Sequence, residues 1–184
     1  MGDFMKGKIL IGSIIAIILI LFLVSSVSAD NNANEETKVL TLSKGGLVIN
    51  YPSDWGYSQA TSNYSIMSIS KLDSIDSSGI GQVNINFEKK PIEGDFYTFV
   101  NSTYKSMPYD SSFKLISSGD SMVGDRQALE YIYTSNHNGV EREHKAVWFE
   151  KGGQAYVMLY SAPINQFEQN LYVFDYILSD IQIT

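Results

Sequence analysis

At 184 residues, with 44% hydrophobic, 12% aromatic and 18% charged side chains, the chain has a globular composition and room for one domain with a real core. A formal charge of −7 and an isoelectric point near 4.7 argue against nucleic acid or anionic lipid as the main partner, because phosphate recognition needs clustered Lys and Arg. The lack of cysteine excludes disulfides, thiolate catalysis, zinc-ribbon sites and a lipid-modified Cys anchor.

Lys6 and Lys8 precede Ile9–Val24, an uncharged run whose only non-aliphatic residues are Gly12, Ser13 and Phe22. Small residues at Val27 and Ala29 complete the layout of a secretory signal cleaved after Ala29. Extended to Ala29, the same run reaches about 20 residues, enough to span a bilayer as one retained helix. Signal peptide and membrane anchor therefore both fit residues 1–29. A core helix does not, since a segment apolar on every side has no polar face to give to water. With the lysines held inside, the remainder of the chain faces outward in either case. Residues 30–38 (DNNANEETK) are a polar linker, and 39–184 form the domain.

Val39–Leu42 and Leu47–Tyr51, separated by Lys44-Gly45-Gly46, predict a hairpin. Pro52 then breaks the strand, and Trp55 is expected as a plug at the end of the sheet. Ser65–Ser70 and Gln82–Phe87 predict two further strands, the second alternating Val83, Ile85 and Phe87 against Gln82, Asn84 and Asn86. Lys71–Gly81 between them is a polar loop. Its Asp73 and Asp76 lack the spacing and closing glutamate of an EF-hand, so they are expected to be solvated.

Asp95 can cap a helix from Phe96, with Phe96, Phe99, Val100, Thr103 and Met107 on one face and Pro108 as its stop. Asn101 then lies opposite, with Tyr97 and Lys105. Asn63 and Asn101 each begin an N-glycosylation sequon, meaningful in an exported chain. Phe113–Ser118 predicts a strand that turns at Gly124-Asp125 into three more, over Arg126–Ser161.

In that block, two-residue turns at Asn138-Gly139 and Gly152-Gly153 define a register. The first pairs His137 with Val140, Tyr133 with His144, Tyr131 with Ala146 and Leu129 with Trp148. The second pairs Phe149 with Tyr156, Trp148 with Val157 and Ala146 with Leu159. The two agree. They place Leu129, Tyr131, Tyr133, Ala146, Trp148, Val157 and Leu159 on one face. The other face mixes Glu130, Thr134, Glu143 and Lys145 with Ile132, Val147, Phe149, Tyr156, Met158 and Tyr160.

After Pro163, Asn165 and Glu168 resemble a capping box. Ile164, Phe167, Leu171, Phe174 and Leu178 follow at helical spacing, a helix expected to cover the Trp148 face. Each such side chain buried stabilises by about 1.5–3 kcal/mol at most. Ile181 and Ile183 suggest a last short strand.

Signals for chemistry are sparse. His137 and His144, the two histidines, match no zinc spacing; His144 is expected as a hydrogen-bonded core or rim residue beside Tyr133. Glu141 and Glu143, with Lys145, read as a solvated strand face rather than a general acid/base pair. No nucleophile elbow, P-loop or dinucleotide fingerprint occurs, so no catalytic residue, metal ligand or cofactor is expected.

Gly46–Trp55 (GLVINYPSDW) resembles the "strand, then P-x-x-W" signature of the PsbP family, and Gly124–Tyr131 (GDRQALEY) resembles its "G-x-x-A-x-x-x-Y" strand entry. The closing meander and C-terminal helix match in order. The resemblance covers Val39 to Thr184 and implies an α+β, Mog1/PsbP-like fold: a central, mainly antiparallel sheet flanked by helices. It also implies an extracytoplasmic binding or assembly factor. The N-terminal segment is not a chloroplast transit peptide, so no photosystem role is carried over.

The leading expectation is a non-enzymatic binding or assembly module with an envelope or surface protein as partner, membrane-associated through its N-terminal segment. The alternative is a small-ligand or metal-binding receptor using Tyr156 and Tyr160. A hydrolase built on the Asp73/Asp76 loop comes third.

Overall fold

The computed structural model describes residues 38–58, 63–107, 112–137 and 139–184. The expected leader with Ala29, the linker up to residue 37, Pro108 and Asn138 lie outside them. Chain order is β1 (Val39–Lys44), β2 (Leu47–Pro52), β3 (Trp55–Ser58), β4 (Ser65–Lys71), a 3-10 turn (Leu72–Ser74), β5 (Asn84–Pro91), α1 (Phe96–Ser106), β6 (Lys114–Val123), β7 (Arg126–His137), β8 (Val140–Lys151), β9 (Gln154–Pro163), α2 (Ile164–Asp180) and β10 (Gln182–Ile183).

Seven strands form the main sheet in the order β3-β4-β5-β9-β8-β7-β6, antiparallel throughout. A small sheet, β1-β2-β10, lies beside α2. Every pair derived from the two turns is present, from His137–Val140 to Ala146–Leu159. The glycines at the turns supply the left-handed backbone these hairpins need, Gly139 at φ 83° and Gly152 and Gly153 at 57° and 72°. The expected β1–β2 hairpin and the short C-terminal strand also form. Trp55 is buried as expected, but it opens an additional strand, β3, rather than merely ending the sheet.

Two core clusters lie on opposite faces of the main sheet. Leu129, Tyr131, Tyr133, Ala146, Trp148 and Val157 pack with Phe96, Val100 and Tyr104 of α1. Asp95 caps α1 by accepting from the Thr98 amide at 2.9 Å. Tyr104, absent from the expected stripe, stacks on Tyr131 with ring centroids 3.7 Å apart and accepts from Trp148 Nε1 at 2.8 Å. The other cluster joins Val147, Phe149, Met158 and Tyr160 to Phe167, Val173, Phe174 and Ile177 of α2 and to Leu47 and Ile49 of β2.

This corrects the expectation that α2 covers the Trp148 face. It covers the opposite one. Both faces of the meander carry large apolar residues, so the apolar stripe of α2 has two possible destinations. The Trp148 face is already occupied by α1. The capping box is also absent: α2 starts at Ile164 straight from β9, with no side-chain cap, and Asn165 lies inside the helix. Its buried stripe includes Val173 and Ile177, while Ile164 is exposed.

Candidate functional site

The sheet face that carries α1 divides in two. Under α1 it is apolar and aromatic. Toward β3, β4 and β5 it turns polar. Strand register lines up Ser70, Asn84, Ser161 and His144 across β4, β5, β9 and β8, and Ser58, Ser68 and Asn86 across β3, β4 and β5. Of these, Ser58, Ser68, Ser70, Asn86, His144 and Ser161 are buried.

An arginine organises one edge of this polar quarter. Arg142 donates from Nε to Ser161 Oγ at 3.1 Å and from Nη2 to the Gln82 carbonyl at 2.5 Å. Gln82 donates in turn to Asp76 at 2.7 Å, whose carboxylate also accepts from Ser78 and from the Ile80 amide. These bonds hold the Asp76 carboxyl below its usual range, the Ser78 hydroxyl contributing most. The oxygens of Asp76 are thus committed within its own loop, while Asp73 pairs with Lys71 at 2.9 Å. Asn84 donates to the Gly81 carbonyl and accepts from Asn86. On this face, Ser58 Oγ, Ser70 Oγ, Asn86 Oδ1 and His144 Nδ1 are buried without a hydrogen-bond partner among the described residues. Ser70 sits directly beneath Gly81, where a Cβ would meet its hydroxyl at 2.4 Å.

His144 Nε2 lies 2.8 Å from Ser135 Oγ, the separation expected of a nucleophile and its base. The electrostatics oppose that role. A catalytic triad places a carboxylate on the far ring nitrogen to stabilise the imidazolium, whereas His144 Nδ1 has no partner among the described residues. Burial, and then the charge of Arg142, lower its pKa to about 3. A proton moved from Ser135 to this ring would create a cation where the surroundings disfavour one. The ring instead stacks on Tyr133, centroids 4.6 Å apart, as a core histidine.

Tyr156 and Tyr160 do not line an open face. Both are buried on the α2 side of the sheet, Tyr156 stacked on Phe149 and the Tyr160 hydroxyl donating to the Phe167 carbonyl at 2.7 Å. Lys145 bridges Glu130 and Asp175, fastening α2 to the sheet, and Glu141 is exposed beside half-buried Glu143. Burial, and then Glu168, raise the Glu143 carboxyl. Asn63 is exposed just before β4. Asn101 is exposed on α1, its Oδ1 accepting from the Tyr131 hydroxyl at 2.5 Å. Among the described residues no group of three His, Cys, Asp or Glu could hold a metal ion.

Two surface features lacked a signal in the sequence. One is the end where the chain enters the domain: Lys38 accepts from the Ser53 amide, Val39 pairs with Pro52, and the Leu72 amide donates to Asp54. On α2, Tyr172 and Tyr176 stand one turn apart, both exposed. Val39, Leu40, Leu72, Tyr172 and Tyr176 are all exposed, Tyr172 at 60%. The other feature is the free edge of β6.

No family model and no curated protein sequence matches the chain. Among solved structures it is similar to cyanobacterial PsbP (CyanoP) from Synechocystis sp., with a TM-score of 0.61 and 14% identity over 85% of this chain and 98% of that one. It is also similar to LpqN of Mycobacterium tuberculosis, described as involved in cell envelope biogenesis, with a TM-score of 0.59 and 15% identity over 81% of this chain and 92% of that one. The fold is PsbP-like.

Proposed function

We propose that this PsbP-like domain is a non-enzymatic, extracytoplasmic binding or assembly module, exported or anchored through residues 1–29 and acting on an envelope or surface protein. The carrying observation is the exposure of large apolar side chains, Val39, Leu40 and Leu72 where the chain enters the domain and Tyr172 and Tyr176 on α2. Contiguous exposed apolar side chains on a soluble domain mark interaction surfaces, and tyrosines supply contact area at low entropic cost. The chain entry adjoins Lys38, so it is the side of the domain nearest the N-terminal segment. The involvement of LpqN in cell envelope biogenesis fits the same setting.

The test is a photo-crosslinking residue at Tyr172 of the full chain in its native envelope. An envelope protein should be recovered from this position and not from Asp125, across the domain; no recovery above background would remove the reading. Intact mass of the native protein distinguishes cleavage after Ala29 from retention, and reports any glycan at Asn63 or Asn101.

A second reading, a small polar ligand, is favoured by the four buried polar atoms without partners on the α1-side face of the sheet. Each costs about 1–3 kcal/mol when unsatisfied, and the large majority of buried side-chain polar atoms are normally paired. Thermal-shift screening with neutral sugars, small anions and divalent metals tests it, and a flat response would count it out.

A further inference from the structure

The edge strand β6 carries a pattern that its own neighbours do not explain. It is ten residues long, against about 5–6 for an ordinary strand, and among the described residues only β7 flanks it. Lys114 to Asp120 are all exposed, as is Met122. Edges of this kind are usually shortened, charged or covered, since their free N–H and C=O groups template pairing with another chain. Here one lysine at the end, Asp120, and a bulge at Ile116 are the only such guards.

We infer that β6 is self-complementary, and that two copies of the chain pair antiparallel through it about a two-fold axis at Gly119. The register follows from comparing pairings centred in the middle of the strand, on Ser118, Gly119 and Asp120. Offsets that bring neighbouring positions opposite one another would set the α1-side face of one copy against the α2-side face of the other. Of those that keep the faces continuous, centring on Asp120 puts two carboxylates directly opposite, which is destabilising. Centring on Ser118 sets Ile116 against Asp120. Centring on Gly119 sets Ser118 of each copy opposite Asp120 of the other, a hydroxyl donor facing a carboxylate.

The same register sets Ser117 opposite Ser121 and Ile116 opposite Met122. Leu115 and Met122 lie on the same face, opposite Tyr133 and Gln127 of β7 respectively, and the bulge at Ile116 draws Leu115 toward Met122 of the other copy. The exposed apolar residues of β6, Leu115, Ile116 and Met122, thereby cover one another. At the centre, Gly119 with Ser117, Ser118 and Ser121 lets the backbones approach. One strand pair buries less than the roughly 1,200 Å² of a stable interface, so the dimer is a weak one that forms at high local concentration, as on a membrane. This surface is distinct from the one at Tyr172 and does not depend on it.

The chain has no cysteine, so single substitutions report position unambiguously. A disulfide needs Cα atoms about 4.4–6.8 Å apart. Gly119→Cys in the full chain is expected to form a covalent dimer on mild oxidation, at least about tenfold faster than Ser179→Cys on α2. Asp120→Cys, about 8 Å from its symmetry mate by strand geometry, should be slow. A Cβ at Gly119 meets nothing within 4 Å, so the variant keeps its space. As a second measurement, mixing Ile116→Cys with Met122→Cys should give the mixed dimer while neither does so alone. Cross-linking of Gly119→Cys no faster than Ser179→Cys, with no mixed dimer, overturns self-pairing. Faster cross-linking at Asp120→Cys than at Gly119→Cys overturns this register.

Discussion

His144 converts its burial into a pH dependence. Its pKa falls from 6.5 to about 3 on folding, through burial first and Arg142 second. Between those limits the unfolded chain binds a proton that the folded chain refuses. This contribution is therefore whole above about pH 6.5 and is lost as pH falls toward 3, at no more than about 1.4 kcal/mol per unit. His144→Gln removes the ionisation. Urea unfolding at pH 7 and pH 5 should show wild type losing up to about 2 kcal/mol more than the variant over that interval. Equal losses would mean that the folded ring takes up protons freely. The placement of His144 beside Tyr133 was legible in the turn-derived register. Its disfavoured charge was not, because the burial that mainly causes it is set by how the elements pack over this face.

At the scale of elements, the hairpins separate two demands that the sequence writes with one letter. Gly45 and Gly153 both have left-handed backbones, at φ 62° and 72°, and an L residue there costs about 1–2 kcal/mol. Beside Gly153 a Cβ meets nothing within 4 Å, but at Gly45 it would lie 2.5 Å from Ile66 Cγ2. Gly153→Ala should cost only the backbone term. Gly45→Ala adds a clash with a buried β-branched side chain and should cost at least about 1 kcal/mol more, read from urea midpoints at constant slope. Gly-Gly was enough to locate both turns. Which glycine is also packed against a neighbour depends on Ile66, in a strand that begins 20 positions after Gly45. The α2 stripe carried a similar ambiguity: its period made the helix legible but left its destination open.

For the whole molecule, the main sheet acts as a partition. Its α1-side and α2-side clusters share no described residue, so small truncations in the two layers should not interact. Val100→Ala removes two methyl groups, about 1.6 kcal/mol, and Ile177→Val about 0.5–1.5 kcal/mol. Their double variant should equal the sum within about 0.5 kcal/mol. A larger coupling in calorimetry or urea titration would show that the sheet transmits strain between its faces. Binding at Tyr172 and pairing at β6 are correspondingly expected to be independent of one another.

By itself, the sequence determined what depends on neighbours within a few positions: the strand periods, the turn glycines and the register they set, the Asp95 cap, and the PsbP-like order of elements. Those features follow from backbone geometry and a hairpin loop of two residues, which leave one arrangement. Tertiary structure alone decided that α1 and not α2 covers Trp148, that Tyr156 and Tyr160 are core, and that serines and asparagines from separate strands meet in one polar quarter. Each of those outcomes turns on contacts such as Gln82 with Arg142, 60 positions apart. Either face of the sheet satisfied the local pattern, so the choice fell to how the helices shared the two faces.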